Sequence, residues 1–224
     1  MGSSFDWQYI VENAPALYHG WLMTLWLSMI SIVISLISGA VLASALVSTS
    51  SRLIARIIAG YVSFIRNTPL LLQIFFIYFG LPEIGIKLSA IGSGILALSL
   101  WAVAFNIENF RAGLASVPHG LKESSQALGF STLHYFLLVA WPLALRIALP
   151  SLLYTSIGVL KNSSYMQVIG LAELTFVAVD KVSLEFKSIE MFSAITIIYV
   201  VTVFALSMVM RLMENRMNRP FVRR

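Results

Sequence analysis

Few side chains in this sequence could do bond-making chemistry, and none stands in a pattern that such chemistry needs. There is no cysteine, which excludes disulfides, zinc thiolates and thiol nucleophiles. His19, His119 and His134 are isolated, without a second ligand at metal-binding spacing, and read as surface or interfacial histidines. Serines are plentiful, but no Gly-x-Ser-x-Gly or His-Glu-x-x-His accompanies them, so an intramembrane hydrolase lacks its nucleophile and base. No G-x-x-x-x-G-K-[ST] phosphate loop is present, so the chain cannot bind and hydrolyse ATP in that way. What remains suits recognition. Glu108 stands near the end of an apolar run, Thr68 and Gln73 interrupt another, and Lys161-Asn162-Ser163-Ser164 closes a third. A carboxylate, an ammonium, amides and hydroxyls are the groups that hold a zwitterion.

The surroundings of these residues are greasy. Of 224 residues, 58% are hydrophobic and 11% charged, less than half the usual charged share, and the mean hydropathy is +0.86. That composition excludes an ordinary soluble domain and points to an all-α integral membrane protein. The net charge of +5 is not a nucleic-acid footprint, because its position along the chain follows membrane topology instead. Five runs are long enough to cross a bilayer: 20–47, 57–81, 88–107, 133–160 and 191–210. The stretch 162–179, apolar apart from Glu173, reads as re-entrant or as lying along the outer face. Residues 1–19 lack Lys and Arg, which argues against a cleavable signal peptide, and Asp6 stands where a myristoylation pattern needs Ser or Thr. Trp7 and Tyr9 make this an interfacial segment.

Basic residues fix the orientation. Arg52, Arg56 and Arg66 follow the first span, Arg111 and Lys122 the third, and Arg211, Arg216, Arg219, Arg223 and Arg224 the last. Lys87 alone marks the loop between spans two and three, while Lys181 and Lys187 are offset by Asp180, Glu185 and Glu190. Five spans, with the N-terminus outside and the tail in the cytoplasm, put every basic-rich segment on one side; six would not. The chain is one domain, 1–224, with a core over 20–213 and a basic tail over 214–224 that anchors to anionic headgroups.

In this topology "VPHGLKESSQALGFS" is a cytoplasmic loop between spans three and four. Pro118 and Gly120 break the chain, and Gly129 suits a left-handed C-terminal cap, which predicts a short crosswise helix. Ser131 or Thr132 can cap the next helix, which runs straight into span four. A partner that pushed on the short helix would move that span with little slack.

These residues also resemble a family. Glu123-Ser124-Ser125, three residues, Gly129, nine residues and Val139-Ala140-Trp141-Pro142 is similar to the EAA loop of ABC-importer permeases, Glu-Ala-Ala, three residues, Gly, nine residues, Ile-x-Leu-Pro. "RNTPLLLQIFFIYFGLP" at 66–82 is similar to the Arg-Gly-Thr-Pro-Leu-Leu-x-Gln signature of the polar-amino-acid branch, with Asn67 for glycine. "VLKNSSYMQVIGLAEL" at 159–174 resembles its Leu-Lys-Asp-Thr-Ser-Leu segment, with Asn162 for aspartate. The resemblance implies the type I importer permease fold, with a second permease, identical or paralogous, sharing the path. It implies two ATPase subunits that hold ATP-Mg and dock on the loop over 118–142, at Gly120, Lys122, Glu123, Ser124, Ser125, Ala127, Leu128 and Gly129. A binding protein outside the membrane would deliver the amino acid. Asparagine at 162 removes a negative charge beside Lys161, which leans the substrate toward acidic or neutral polar amino acids rather than cationic ones.

For Glu108 two readings stay open, a path-lining group that meets a substrate amino group or a structural pair with Arg111 one turn on. Gln73, a turn or two inside span two, is expected to line the path. A stand-alone secondary transporter is the remaining rival, and it would work without nucleotide.

Overall fold

The computed structural model describes residues 5–218, and no strand occurs among them. The start, Met1–Ser4, and Arg219, Arg223 and Arg224 of the basic tail lie outside the described residues.

Helix α1 (Trp7–Glu12) starts where the Asp6 carboxylate accepts the Tyr9 N–H. Asn13 and Pro15 then start α2 (Ala14–Ser48), 35 residues and so about 52 Å long. The first span therefore begins six residues before the expected Gly20, because a proline in the first turn favours a helix start. After α3 (Arg52–Asn67) and α4 (Leu70–Phe75) come a π turn (Phe76–Gly80) and a 3-10 turn (Leu81–Ile84). α5 (Ala90–Ala115) leads to α6 (His119–Ala127), the short polar helix. α7 (Thr132–Tyr135), a π turn (Phe136–Ala140), α8 (Trp141–Asn162) and a 3-10 turn (Ser163–Ile169) follow as one helical run, Thr132–Ile169. α9 (Leu174–Glu185) and α10 (Ser188–Asn218) close the chain.

Among the described residues, four helical runs are long and apolar enough to cross a membrane, and the pair Arg52–Asn67 and Leu70–Ile84 supplies a fifth if taken as one span. The span expected over 57–81 is broken: its halves are bent by 107°. Pro69 has no N–H and forces Thr68 into extended backbone, so the helix ends at Asn67. Both π turns lie just ahead of a proline, Pro82 and Pro142. In each, an N–H reaches five residues back, Leu81 to Phe76 and Trp141 to Phe136. The proline ring crowds the carbonyl four residues before it, and the ladder widens to pass. The segment 162–179 resolves into the 3-10 turn, the bend at Gly170 and the start of α9, which packs its buried Leu174 and Ala178 toward α2 and α10.

The core is α2, α5 and α8. α2 and α5 run parallel, with Gly94 near Leu27 and Gly39 near Asn106; α8 runs antiparallel to α5, with Gly113 near Ala144 and Gly158 near Trp101. A methyl at Gly113 would stand 2.5 Å from the Ala144 carbonyl oxygen, and one at Gly39 would stand 2.7 Å from Asn106 Cβ. Close backbone approach replaces the hydrophobic drive that lipid cannot supply. At mid-bundle Asn106 Nδ2 donates to Ser35 Oγ at 3.1 Å, and Asn109 Nδ2 to Asn106 Oδ1 at 3.3 Å and Thr155 Oγ1 at 2.9 Å. These amides tie the three helices together.

Candidate functional site

α6 is exposed along its length except at Ser125, whose hydroxyl donates back to the Leu121 carbonyl at 2.7 Å. Its end is a Schellman cap. Gly129 has φ +82, its N–H donates to the Gln126 carbonyl, and the Phe130 N–H donates to the Ser125 carbonyl, both at 3.0 Å. Two residues later Ser131 Oγ accepts the His134 N–H and opens α7. Gly120, Lys122, Glu123, Ser124, Ala127, Leu128 and Gly129 all face outward, and Leu128 is 78% exposed.

The substrate-path candidates fall into three groups. Glu108 is forked by Arg111, with Nε at 3.1 and 3.2 Å from its two oxygens, and the pair stays partly exposed. The Arg66 guanidinium lies 5.0 Å from the centre of the Phe105 ring, one turn from Glu108, and Phe105 in turn packs on Trp101. Both readings of Glu108 are thus compatible with one geometry, an ion pair whose outer side is open.

Gln73 is 8% exposed, and its amide mends the break in span two. Nε2 donates to the Ile65 and Thr68 carbonyls at 2.9 and 3.1 Å and to Thr68 Oγ1 at 2.8 Å, while Oε1 is buried without a partner. Beside it Phe64, Thr68, Leu72, Phe76 and Leu100 line a cavity of about 400 Å³. Span-breaking proline and a polar residue four positions on signalled this arrangement; the direction of the amide did not show in the sequence.

Lys161, Asn162, Ser163 and Ser164 occupy the change from α-helix to 3-10 turn. Ser163 is fully buried and donates to the Leu160 carbonyl, and Ser164 donates to the Lys161 carbonyl, both at 2.8 Å. Lys161 is exposed to a groove of about 680 Å³ whose other side is α10, with Tyr199, Phe204 and Arg211. Within one chain, then, the Lys161 cluster opens toward α10 and the Glu108 cluster toward α3.

Sequence reasoning passed over Glu173, which is wholly buried. Its carboxylate caps α9, accepting the Phe176 and Thr175 N–H groups at 2.8 and 3.0 Å, and also takes hydroxyls of Tyr199 at 3.1 Å and Thr24 at 3.3 Å. The available signal was a lone carboxylate in an apolar stretch, one residue ahead of a helix.

The comparisons with known proteins agree with this architecture. Residues 35–219 match the family described as binding-protein-dependent transport system inner membrane component. The glutamine transport system permease protein of Escherichia coli K12 is 32% identical over 217 residues, 96% of this chain and 98% of that protein. The nopaline transport system permease protein of Agrobacterium fabrum is 32% identical over 223 residues, covering 95% and 92%. A crystal structure of an amino acid ABC transporter with histidines superposes with a TM-score of 0.88 at 31% identity, covering 96% of this chain and all of that one. The methionine transporter MetNI, at 18% identity and a TM-score of 0.79, shares the fold.

Proposed function

The chain belongs to the family of binding-protein-dependent transport system inner membrane components, and from that premise we propose that it is a permease subunit of an ATP-driven importer of polar amino acids, acidic or neutral rather than purely cationic. The relatives' glutamine and nopaline systems favour an amino-acid cargo with a free carboxylate. One observation carries the reading. A nine-residue polar helix, exposed on nearly every side, is fixed by a left-handed glycine to a 38-residue helical run that ends at Lys161–Ile169. Force applied to α6 enters that continuous helical run directly and passes along it into the bundle.

In this reading α6 lies in the cytoplasm with the basic segments and the N-terminus lies outside. Two ATPase subunits, which hold ATP-Mg, seat Leu128 and the exposed row from Gly120 to Gly129. A second permease, identical or paralogous, closes the path, and a binding protein delivers the cargo to the opposite face of the bacterial inner membrane. Glu108 meets the substrate ammonium at one level of the path, and Lys161 with Asn162 and Ser164 meets the carboxylate at another, because the two clusters open to different sides of the chain. Ser163, Thr68 and Gln73 shape the path by holding their helix breaks.

Reconstitution separates this from a stand-alone carrier. Uptake of radiolabelled glutamine or glutamate into proteoliposomes requires the ATPase, the binding protein and ATP; uptake by the purified chain alone contradicts the reading. Asn162→Asp restores a carboxylate beside Lys161 and raises lysine uptake relative to glutamate about tenfold; an unchanged ratio assigns selectivity to the other permease.

A further inference from the structure

α3 carries three distinct faces, and only two have an evident neighbour. At about 100° per residue, Ile58, Val62 and Ile65 fall on one sector and are buried, packing near Val103, Ile107 and Leu42. Leu53, Ile57 and Phe64 share a second sector and are 62–67% exposed, as lipid-facing side chains should be. The third sector, an arc of about 120°, holds Arg52, Arg56, Gly60, Ser63, Arg66 and Asn67, all exposed. An arginine facing hydrocarbon at mid-depth is costly unless it finds water or a partner. Arg52 can snorkel to the nearer interface. Arg66 lies fourteen residues, about 21 Å, farther along the helix, and its guanidinium rests on Phe105 of the core. The whole stripe cannot reach one headgroup layer without lifting Arg66 off that ring. α3 contains no acidic residue, and Glu108, a carboxylate that interacts with Arg66, is already forked by Arg111.

We propose that this polar face of α3 lines the water-filled cytoplasmic half of the transport path, and that Arg56 is a specificity-determining residue that favours anionic and zwitterionic amino acids and disfavours cationic ones. The proposal rests on the importer reading and adds to it the wall that gives the path its sign. Small residues between the arginines, Gly60 and Ser63, leave that wall open to a passing side chain. Two guanidiniums beside one carboxylate leave the upper end of the stripe with an unneutralised positive charge.

The native chain has no cysteine, so single cysteines can be read directly in the assembled complex with its ATPase and binding protein. In the nucleotide-free complex, Arg56→Cys, Gly60→Cys, Ser63→Cys and Asn67→Cys react with a membrane-impermeant anionic thiol reagent at least tenfold faster than Leu53→Cys, Ile57→Cys and Phe64→Cys. Modification of Ser63→Cys blocks uptake, and trapping with ATP and vanadate slows its labelling. Equal labelling of both sets, or labelling of Ser63→Cys that leaves uptake and nucleotide dependence unchanged, places the stripe on lipid headgroups and overturns the proposal. Arg56→Glu raises the lysine-to-glutamate uptake ratio about tenfold over Arg56→Gln; an unchanged ratio removes the selecting role. If the wild-type complex takes up no amino acid with ATP, the importer reading fails; if it does and the labelling pattern fails, only the stripe falls.

Discussion

Two helix breaks in this chain are mended in opposite ways. At Thr68–Pro69 a helix ends, and orphaned carbonyls are covered by a donor, the Gln73 amide. At Glu173 a helix begins, and orphaned N–H groups are covered by an acceptor, a carboxylate. The Glu173 break is saturated: both carboxylate oxygens are used, and Thr24 and Tyr199 bring α2 and α10 to the same point. The Gln73 break is not. Its Oε1 has no partner and a cavity adjoins it. A fully satisfied polar cluster makes a fixed point, whereas a partly satisfied one leaves a second arrangement within reach. The start of α9 is thus anchored to α2 and α10 by Glu173, and the break in span two is the less satisfied of the two.

That contrast can be broken by mutation. Glu173→Ala has the largest effect: two N–H groups and two hydroxyls lose their acceptor in a dry site, costing about 3 kcal/mol, seen as a lower thermal midpoint in detergent. Glu173→Gln keeps one acceptor and loses about half as much. A midpoint unchanged in Glu173→Ala would deny the fixed point. Tyr199→Phe removes one donor of the set and costs about 1 kcal/mol by the same measurement. Gln73→Leu also costs about 1 kcal/mol, because the lost bonds are offset by removing the buried, unpaired oxygen. Its signature is functional: uptake falls more than the midpoint does. If Gln73→Leu destabilises as much as Glu173→Ala, the two breaks are alike and the contrast disappears.

The smallest effect lies at the surface of the same region. Lys187 Nζ stands 3.0 Å from Asp6 Oδ2, and the Asp6 N–H donates to Glu190. The hydrogen-bonded ammonium holds the Asp6 carboxyl below its ordinary 3.8 and raises Lys187. For a carboxylate with a depressed folded value, the contribution is full above the ordinary value and is lost as pH falls through the depressed one. Spin labels at Gln8 and Ser183 therefore keep one distance from pH 8 to about 4 and spread below it; a spread already present at pH 7 would show that the pair does not hold α1.

Much of this fold was legible because its signals are local. Long apolar runs mark the spans, Pro69 and Gly129 each act within a few residues, and the short polar helix with its glycine cap follows from them. The bend of 107° was not legible, since Pro69 says where a helix stops and not where the chain goes next. The Asn106–Ser35 and Asn109–Thr155 bonds join residues 71 and 46 positions apart, and Glu173–Thr24 joins residues 149 apart. Pairings at that range depend on how helices stack. Ser163 shows the same limit from the other side: its type suits a ligand contact, yet its hydroxyl is spent on its own helix.

The central claim is that α6 carries force into the bundle through a rigid joint at Gly129. In proteoliposomes holding the full complex, Gly129→Val disfavours the left-handed turn that closes α6. The account predicts ATP hydrolysis near the wild-type rate with amino-acid uptake per ATP reduced at least tenfold. Uptake per ATP equal to wild type would contradict it.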